Sequence, residues 1–202
     1  MQIIEPSFEL IIDLNPWETL NKIEKAARVC YKSEMGNLND SMNFIKNLIK
    51  RGHESPLEHS GFTVKFICDR GISHELVRHR LASYCQESTR YCNYSKNDFH
   101  SQITVIKPLC IEGDGLEIWK KSCEAAEKAY FDLLNHDYTS QDARAVLPTC
   151  LKTEIYMTAN IREWRHFLKL RTSPNAHPEM RRLTIPLLKQ LKDTYPILFD
   201  DI

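Results

Sequence analysis

Residues 78 to 91 read R-H-R-L-A-S-Y-C-Q-E-S-T-R-Y and place three arginines, a histidine, two serines and two tyrosines in one short stretch. A packed core has no use for that composition. Guanidinium groups stay charged at physiological pH and grip carboxylates or phosphates bidentately, so three of them beside hydroxyls and flat rings point to an anionic, ring-bearing ligand. A nucleotide has that chemistry. Polar residues gather again in Arg144-Ala-Val-Leu-Pro148, in Asn160-Ile-Arg-Glu-Trp-Arg-His166, and at Arg171 and His177. Arg162 and Arg165 lie three apart and would share a helix face, which by itself is also what a solvated surface looks like.

Composition limits what this chemistry can serve. The 202 residues carry 27 basic and 27 acidic side chains, for zero formal net charge, so no overall basic field gathers nucleic acid or an anionic membrane. Anion binding has to be local. No apolar run approaches the roughly 20 residues of a membrane helix, and the start of the chain lacks a secretory pattern, so a cytoplasmic protein is expected. Seven cysteines form no C-x-x-C pair and are expected to be reduced, mostly buried and inert. His53 and His59 match no zinc spacing, and no metal is expected.

The elements that must position these residues follow from periodicity and caps. Asn15-Pro16-Trp17-Glu18 opens a helix over 16–31, and Phe44, Ile45, Leu48 and Ile49 mark another over 41–51, stopped by Gly52. Ser55-Pro56-Leu57-Glu58 reads as a capping box on a short helical turn. Alternation predicts strands over 61–68 and 153–160 and a further one over 103–109, with polar loop over 93–102. A helix is expected over 73–83, on which Arg78, His79 and Arg80 would splay about 100° apart and so reach two ligands or two subunits. Long helices are predicted over 116–135 and 178–193, the latter kinked at Pro186, with a short helix from Thr139 and another around Trp164, Phe167 and Leu168. The class is α+β, a mixed sheet flanked by helices in a single domain over 1–202. Six glycines form neither a G-x-G-x-x-G nor a P-loop, so a dinucleotide would need another cradle.

Arg78-His79-Arg80, seven residues and Ser88 resemble the R-H-R-x7-S signature of the flavin-dependent thymidylate synthases, and Arg90-Tyr91 extends the match. Arg51 to His59, Arg144 to Pro148 and Asn160 to Arg171 resemble further segments of that family in the same order. The resemblance implies conversion of dUMP to dTMP, with methylenetetrahydrofolate as carbon donor and FAD, reduced by NADPH, as hydride carrier. It also implies an α+β homotetramer whose active sites are shared between subunits.

By resemblance, Arg171 is the residue beside the uracil whose charge activates it. Glu75, Leu76, Val77, Arg78, Gln86, Glu87, Ser88, Thr89, Arg90, Arg144 and Arg171 match dUMP contacts. Ser55, Arg78, His79, Arg80, Gln86, Asn160, Ile161, Arg162 and His166 match FAD contacts, and His53 lies near flavin and folate. Some relatives carry Gln at the position of Glu75 and an acid at that of Gln86, which suggests that these two are neighbours and have exchanged charge. Ser88 has no adjacent base to make it a nucleophile, and the Pro-Cys-His element of the classical synthases is absent. A single-strand nucleic-acid binder stacking bases on Tyr84, Tyr91 and Tyr94 is the rival from another class, disfavoured by the zero net charge. A regulatory relative that binds nucleotide and flavin without turnover is the second rival. His177 could cap the last helix or touch ligand.

Overall fold

The computed structural model describes residues 1–12, 15–96 and 99–202, and the side chains of all of these except Tyr31 and Leu38. Among the described residues six strands run in chain order: β1 (Gln2–Ile4), β2 (Ser7–Ile11), β3 (Gly61–Asp69), β4 (Ala82–Gln86), β5 (Thr104–Ile106) and β6 (Lys152–Asn160). The helices are α1 (Pro16–Tyr31), α2 (Leu38–Lys50), α3 (Arg70–Leu76), α4 (Asp114–Asn135), α5 (Ser140–Ala143), α6 (Ile161–Arg171), α7 (Pro178–Thr194) and α8 (Pro196–Phe199). Single 3₁₀ turns cover Ser55–His59 and Arg144–Val146. A four-stranded sheet has the order β2-β3-β6-β4, and β1 pairs with β5 in parallel. The class is α+β, with helices beside a mixed sheet. No described helix is long and apolar enough to cross a membrane.

Contacts divide the chain into two compact units, and the chain passes from one to the other within β2, β3, β4 and β6 and between Arg78 and His79. The first comprises Met1–Ser7, Phe66–Arg78 and Cys85–Ile155. Its core joins Ile103, Val105 and Leu151 to Cys123 and Tyr130 of α4, with Tyr94 and Ala143 completing it. Removing such side chains from water, at about 25 cal/mol per Å² of apolar surface, is what holds α4 in place. Gly113, at φ +54°, supplies the left-handed residue from which α4 starts.

The second unit comprises Phe8–Lys65, His79–Tyr84 and Tyr156–Ile202. Trp164 of α6 stacks on Phe62 of β3 with ring centroids 4.9 Å apart and donates its indole N–H to the Phe62 carbonyl at 3.0 Å, so this large ring is buried with its one donor satisfied. Gly61 sits where a Cβ would come 2.3 Å from the Ala159 carbonyl, which only glycine permits. The Asn15–Glu18 capping box opens α1 as its sequence dictates, and the Asn160 side chain caps α6 on the Glu163 N–H. His177 caps α7 through its Nδ1, which accepts the Glu179 N–H at 3.2 Å.

Three sequence expectations are corrected. The helix expected over 73–83 ends at Leu76; residues 77–81 form a turn and Ala82–Gln86 is strand β4. Val77 and Leu81 are both exposed, Leu81 at 77%, so no core exists for a longer helix to pack against. The splaying of Arg78, His79 and Arg80 is therefore a property of a turn. Ser55 is inside its 3₁₀ turn and makes no side-chain cap; Glu54 holds the cap position. The cysteines are free but not mostly buried: Cys68 and Cys123 are, whereas Cys30, Cys85 and Cys110 are exposed. Short β1, β2 and α8 carry too few residues for periodicity to reveal. The helix α7 runs on through Pro186. Residues 97–98 of the expected loop, and the Tyr31 side chain of the α1 stripe, lie outside what the structure describes.

Candidate functional site

In the first unit the expected nucleotide ligands fall at the end of α3, the end of β4 and the loop that follows. The loop closes on itself where the Tyr91 and Cys92 amides donate to the Ser88 carbonyl at 3.1 and 2.9 Å, and it is tied down by the Ser140 hydroxyl on the Arg90 carbonyl at 2.9 Å. Arg90 donates Nε–H to Gln141 Oε1 at 2.8 Å, while its guanidinium lies 5.3 Å above the Tyr91 ring. Arg144, on its 3₁₀ turn, donates Nη1 to Thr89 Oγ1 at 3.4 Å, and Ser88 Oγ accepts the Arg90 amide at 3.3 Å. Both arginines are exposed and both lean on uncharged partners.

Beneath this loop the polar groups are fully engaged. Lys152 bridges Glu87 at 3.1 Å and Glu154 at 2.6 Å, and the buried Tyr94 hydroxyl donates to Glu87 at 3.0 Å. Burial and the Glu87 carboxylate together push the Tyr94 phenol well above its ordinary range, so it stays a proton donor. Gln86 points its amide N–H at Ser73 Oγ (2.9 Å) and Thr153 Oγ1 (3.1 Å), a role of holding α3, β4 and β6 together. Leu76 is fully buried and can offer a ligand only its backbone; Val77 and Arg78 are exposed beside it. Glu75 lies on α3 and is half-buried.

In the second unit α6 organises the site. His79, 6% exposed, stands with its ring edge-on to Phe167 at 4.8 Å. Its Nε2 accepts the Arg171 Nε–H at 2.9 Å, and its Nδ1 lies 3.4 Å from Glu163 Oε1. Burial, then the Arg171 and His166 charges, lower the His79 pKa from 6.5 to about 4, so the imidazole is neutral at pH 7. Burial pushes the Glu163 carboxyl upward. The Tyr84 hydroxyl donates to the His79 carbonyl at 2.8 Å and fixes the turn.

His79, Glu163 and His166 bring metal-ligating atoms within 4.8 Å of one another. The His79 Nε2 lone pair is already engaged by a cationic guanidinium, and that opposes a metal ion there.

A cleft of about 650 Å³ opens along the same helix, walled by Asn160, Arg162, His166, Lys169 and the exposed Leu81. Arg162 meets Glu58 at 2.6 Å and Glu54 at 3.7 Å, and Arg165 makes a bidentate pair with Asp201, both contacts at 2.7 Å. Ile161 is buried with its amide given to the Ser60 carbonyl, so its side chain cannot line the cleft. His53, Ser55 and Arg80 are exposed.

The structure thus groups Ser88, Thr89, Arg90 and Arg144 in one unit, and His79, His166 and Arg171 in the other, with Asn160 and Arg162 along the same α6 cleft. Residues 12–197 match the family model described as thymidylate synthase complementing protein, Thy1. The chain belongs to that family. Among Thy1 relatives, a flavin-dependent thymidylate synthase of Mycolicibacterium vanbaalenii is 36% identical over 212 residues, covering 92% of this chain and 82% of that protein. Flavin-dependent thymidylate synthases of Geobacter sulfurreducens and Pyrococcus furiosus are each 34% identical, covering 87% and 79% of this chain and 78% and 67% of their own lengths.

Sequence reasoning passed over Glu163, Gln141 and Ser140, which hold the named residues rather than face a ligand. Gln141 and Ser140 gave no signal, being common polar residues 50 positions from Arg90. Glu163 had one: with Phe167 and Arg171 it recurs every fourth residue along one face of α6.

Proposed function

We propose that this Thy1 protein methylates dUMP to dTMP reductively, taking the methylene carbon from methylenetetrahydrofolate. The observation that carries this reading is the family match over almost the whole chain. Bound FAD, recharged by NADPH, would supply the hydride that turns the methylene into a methyl group.

The remaining chemistry belongs to the chain. A phosphate dianion needs charged donors not already committed to carboxylates, and Arg90 and Arg144, with the Ser88 and Thr89 hydroxyls, are such a set. Arg171 beside the uracil favours loss of the N3 proton, because a fixed positive charge lowers a neighbouring acid's pKa, and the anion so formed is electron-rich at C5. C5 is the atom that must accept the new carbon. The neutral His79 holds that guanidinium without adding a second positive charge.

Toward a flavin dinucleotide the α6 cleft offers Leu81 as an apolar wall, Asn160 and His166 as hydrogen-bonding groups and Arg162 and Lys169 as cations, beside the carboxylates of Glu54, Glu58, Glu163 and Asp201. A pyrophosphate reaching Arg162 has to compete with Glu58. Arg78, Arg80, Ser55 and His53 complete the flavin and folate side, and Glu75, Val77 and the Leu76 backbone the nucleotide side, which Gln86 and Glu87 support from beneath through Ser73, Thr153, Lys152 and Tyr94. We take 1–202 as a single cytoplasmic domain acting as a homotetramer, in which the exposed Val77 and Tyr91 would be covered by other copies of the chain.

The test is to purify the protein, record its visible spectrum, and then add NADPH, dUMP and methylenetetrahydrofolate. Flavin absorbance bleached by NADPH and stoichiometric dTMP are expected. A colourless protein that shifts only on single-stranded oligonucleotide would overturn the reading.

A further inference from the structure

Glu163, Phe167 and Arg171 lie four residues apart, one above another on one face of α6, and the His79 imidazole is laid along that stripe. Phe167 supports the ring at 4.8 Å, Arg171 contacts Nε2 at one end, and Glu163 contacts Nδ1 at the other. An imidazole nitrogen can accept the Arg171 N–H only through a bare lone pair. The single ring proton must then sit on Nδ1, where Glu163 is the acceptor in reach.

We infer that Glu163 is a positioning residue: its carboxylate fixes His79 in the Nδ1–H tautomer, and that tautomer lets Nε2 hold the Arg171 guanidinium in the pose it needs. The uracil half of this inference rests on the role proposed above for Arg171. Glu163 is itself held rigidly, because the Asn160 side chain caps its amide at 2.9 Å and its side chain is 7% exposed. Arg171 is restrained from its other side by the Thr184 hydroxyl, which donates to its carbonyl at 2.9 Å. Without an acceptor at position 163 a buried Nδ1–H loses its partner, and only the Arg171 contact still favours that tautomer. In the other tautomer Nε2–H faces Arg171 as donor against donor, and the guanidinium must swing away.

The experiment uses the flavin-loaded protein with ¹⁵N-labelled histidine, the His79 signals being assigned by their loss in His79→Gln. The wild type is expected to show His79 as the Nδ1–H tautomer at pH 7. Glu163→Gln keeps an acceptor oxygen and should retain both the tautomer and the KM for dUMP, whereas Glu163→Met should shift His79 towards Nε2–H and raise that KM about tenfold. A wild-type Nε2–H tautomer overturns the inference even if the Met variant fails to fold, and so does a Glu163→Met enzyme with unchanged tautomer and KM. If the tautomers behave as expected but no variant, nor the wild type, turns over dUMP, then the function proposed above falls while the link from Glu163 through His79 to Arg171 stands.

Discussion

Two sets of arginines on the same chain are held in opposite ways. In the first unit Arg90 leans on the Gln141 amide and Arg144 on the Thr89 hydroxyl, and both are exposed. In the second, Arg162 is matched to Glu58 and Glu54, and the buried Arg165 is clamped by Asp201. A guanidinium held by a neutral group keeps its charge for an incoming anion; one already paired with a carboxylate has to break that pair first. Arginine count along a sequence does not separate these cases. Partner identity does: Arg90 and Arg144 lean on neutral groups, as the phosphate recognition proposed for them requires, while Arg165 is taken up by Asp201.

Arg171 stands between the two kinds, because its Nε–H meets a neutral acceptor while its burial is only partial. Removing it should have the largest effect: Arg171→Ala is expected to lower kcat/KM for dTMP formation about 10²- to 10³-fold, the usual loss when a donor aimed at developing charge is deleted. Folding, followed by urea denaturation, should change much less.

His79 sharpens the contrast through pH. Its pKa is about 4 in the folded chain and 6.5 when solvated, so between these values the unfolded chain binds more protons and stability rises with pH. Its contribution is complete above pH 6.5 and is lost as pH falls towards 4. The shift corresponds to about 3 kcal/mol at 1.36 kcal/mol per unit. Urea midpoints of wild type and His79→Gln compared at pH 5 and 7.5 should show a steeper pH dependence in the wild type; parallel slopes would remove the claim that His79 is buried neutral.

Arg90→Ala or Arg144→Ala should each raise the KM for dUMP about 10- to 100-fold, as expected for a hydrogen bond to a charged group, with flavin content unchanged. Smallest of all, Arg162→Ala should leave the urea midpoint almost unchanged, since its ion pairs are exposed. A large fall in that midpoint would mean that the cleft depends on the pair for its stability.

How much of this could be read from the chain varies with the physics of each part. Helices α1, α2, α4 and α7 were legible from a 3.6-residue apolar stripe, joined at α1 by its capping box. The turn at residues 77–81 was not, because Val77 and Leu81 are apolar yet exposed, and periodicity cannot say what covers an apolar side chain. Arg78, His79, Arg90, Arg144 and Arg171 were named from the resemblance of their segments to the family, which says nothing of the partners that hold them. That Gln86 is spent on Ser73 and Thr153, that Leu76 and Ile161 are buried, and that Glu163 supports His79 all depend on contacts between distant segments. No local pattern encodes those.

The most direct measurement of the central claim is the affinity of the flavin-loaded protein for dUMP against deoxyuridine, which lacks the phosphate, in wild type and in the double variant Arg90→Ala/Arg144→Ala. The account predicts a wild-type preference for dUMP of about 100-fold or more, as two charge-assisted hydrogen bonds allow, and its collapse to near parity in the double variant with deoxyuridine affinity unchanged. A double variant that keeps the full preference for dUMP, or an Arg162→Ala protein that loses it, would contradict the assignment.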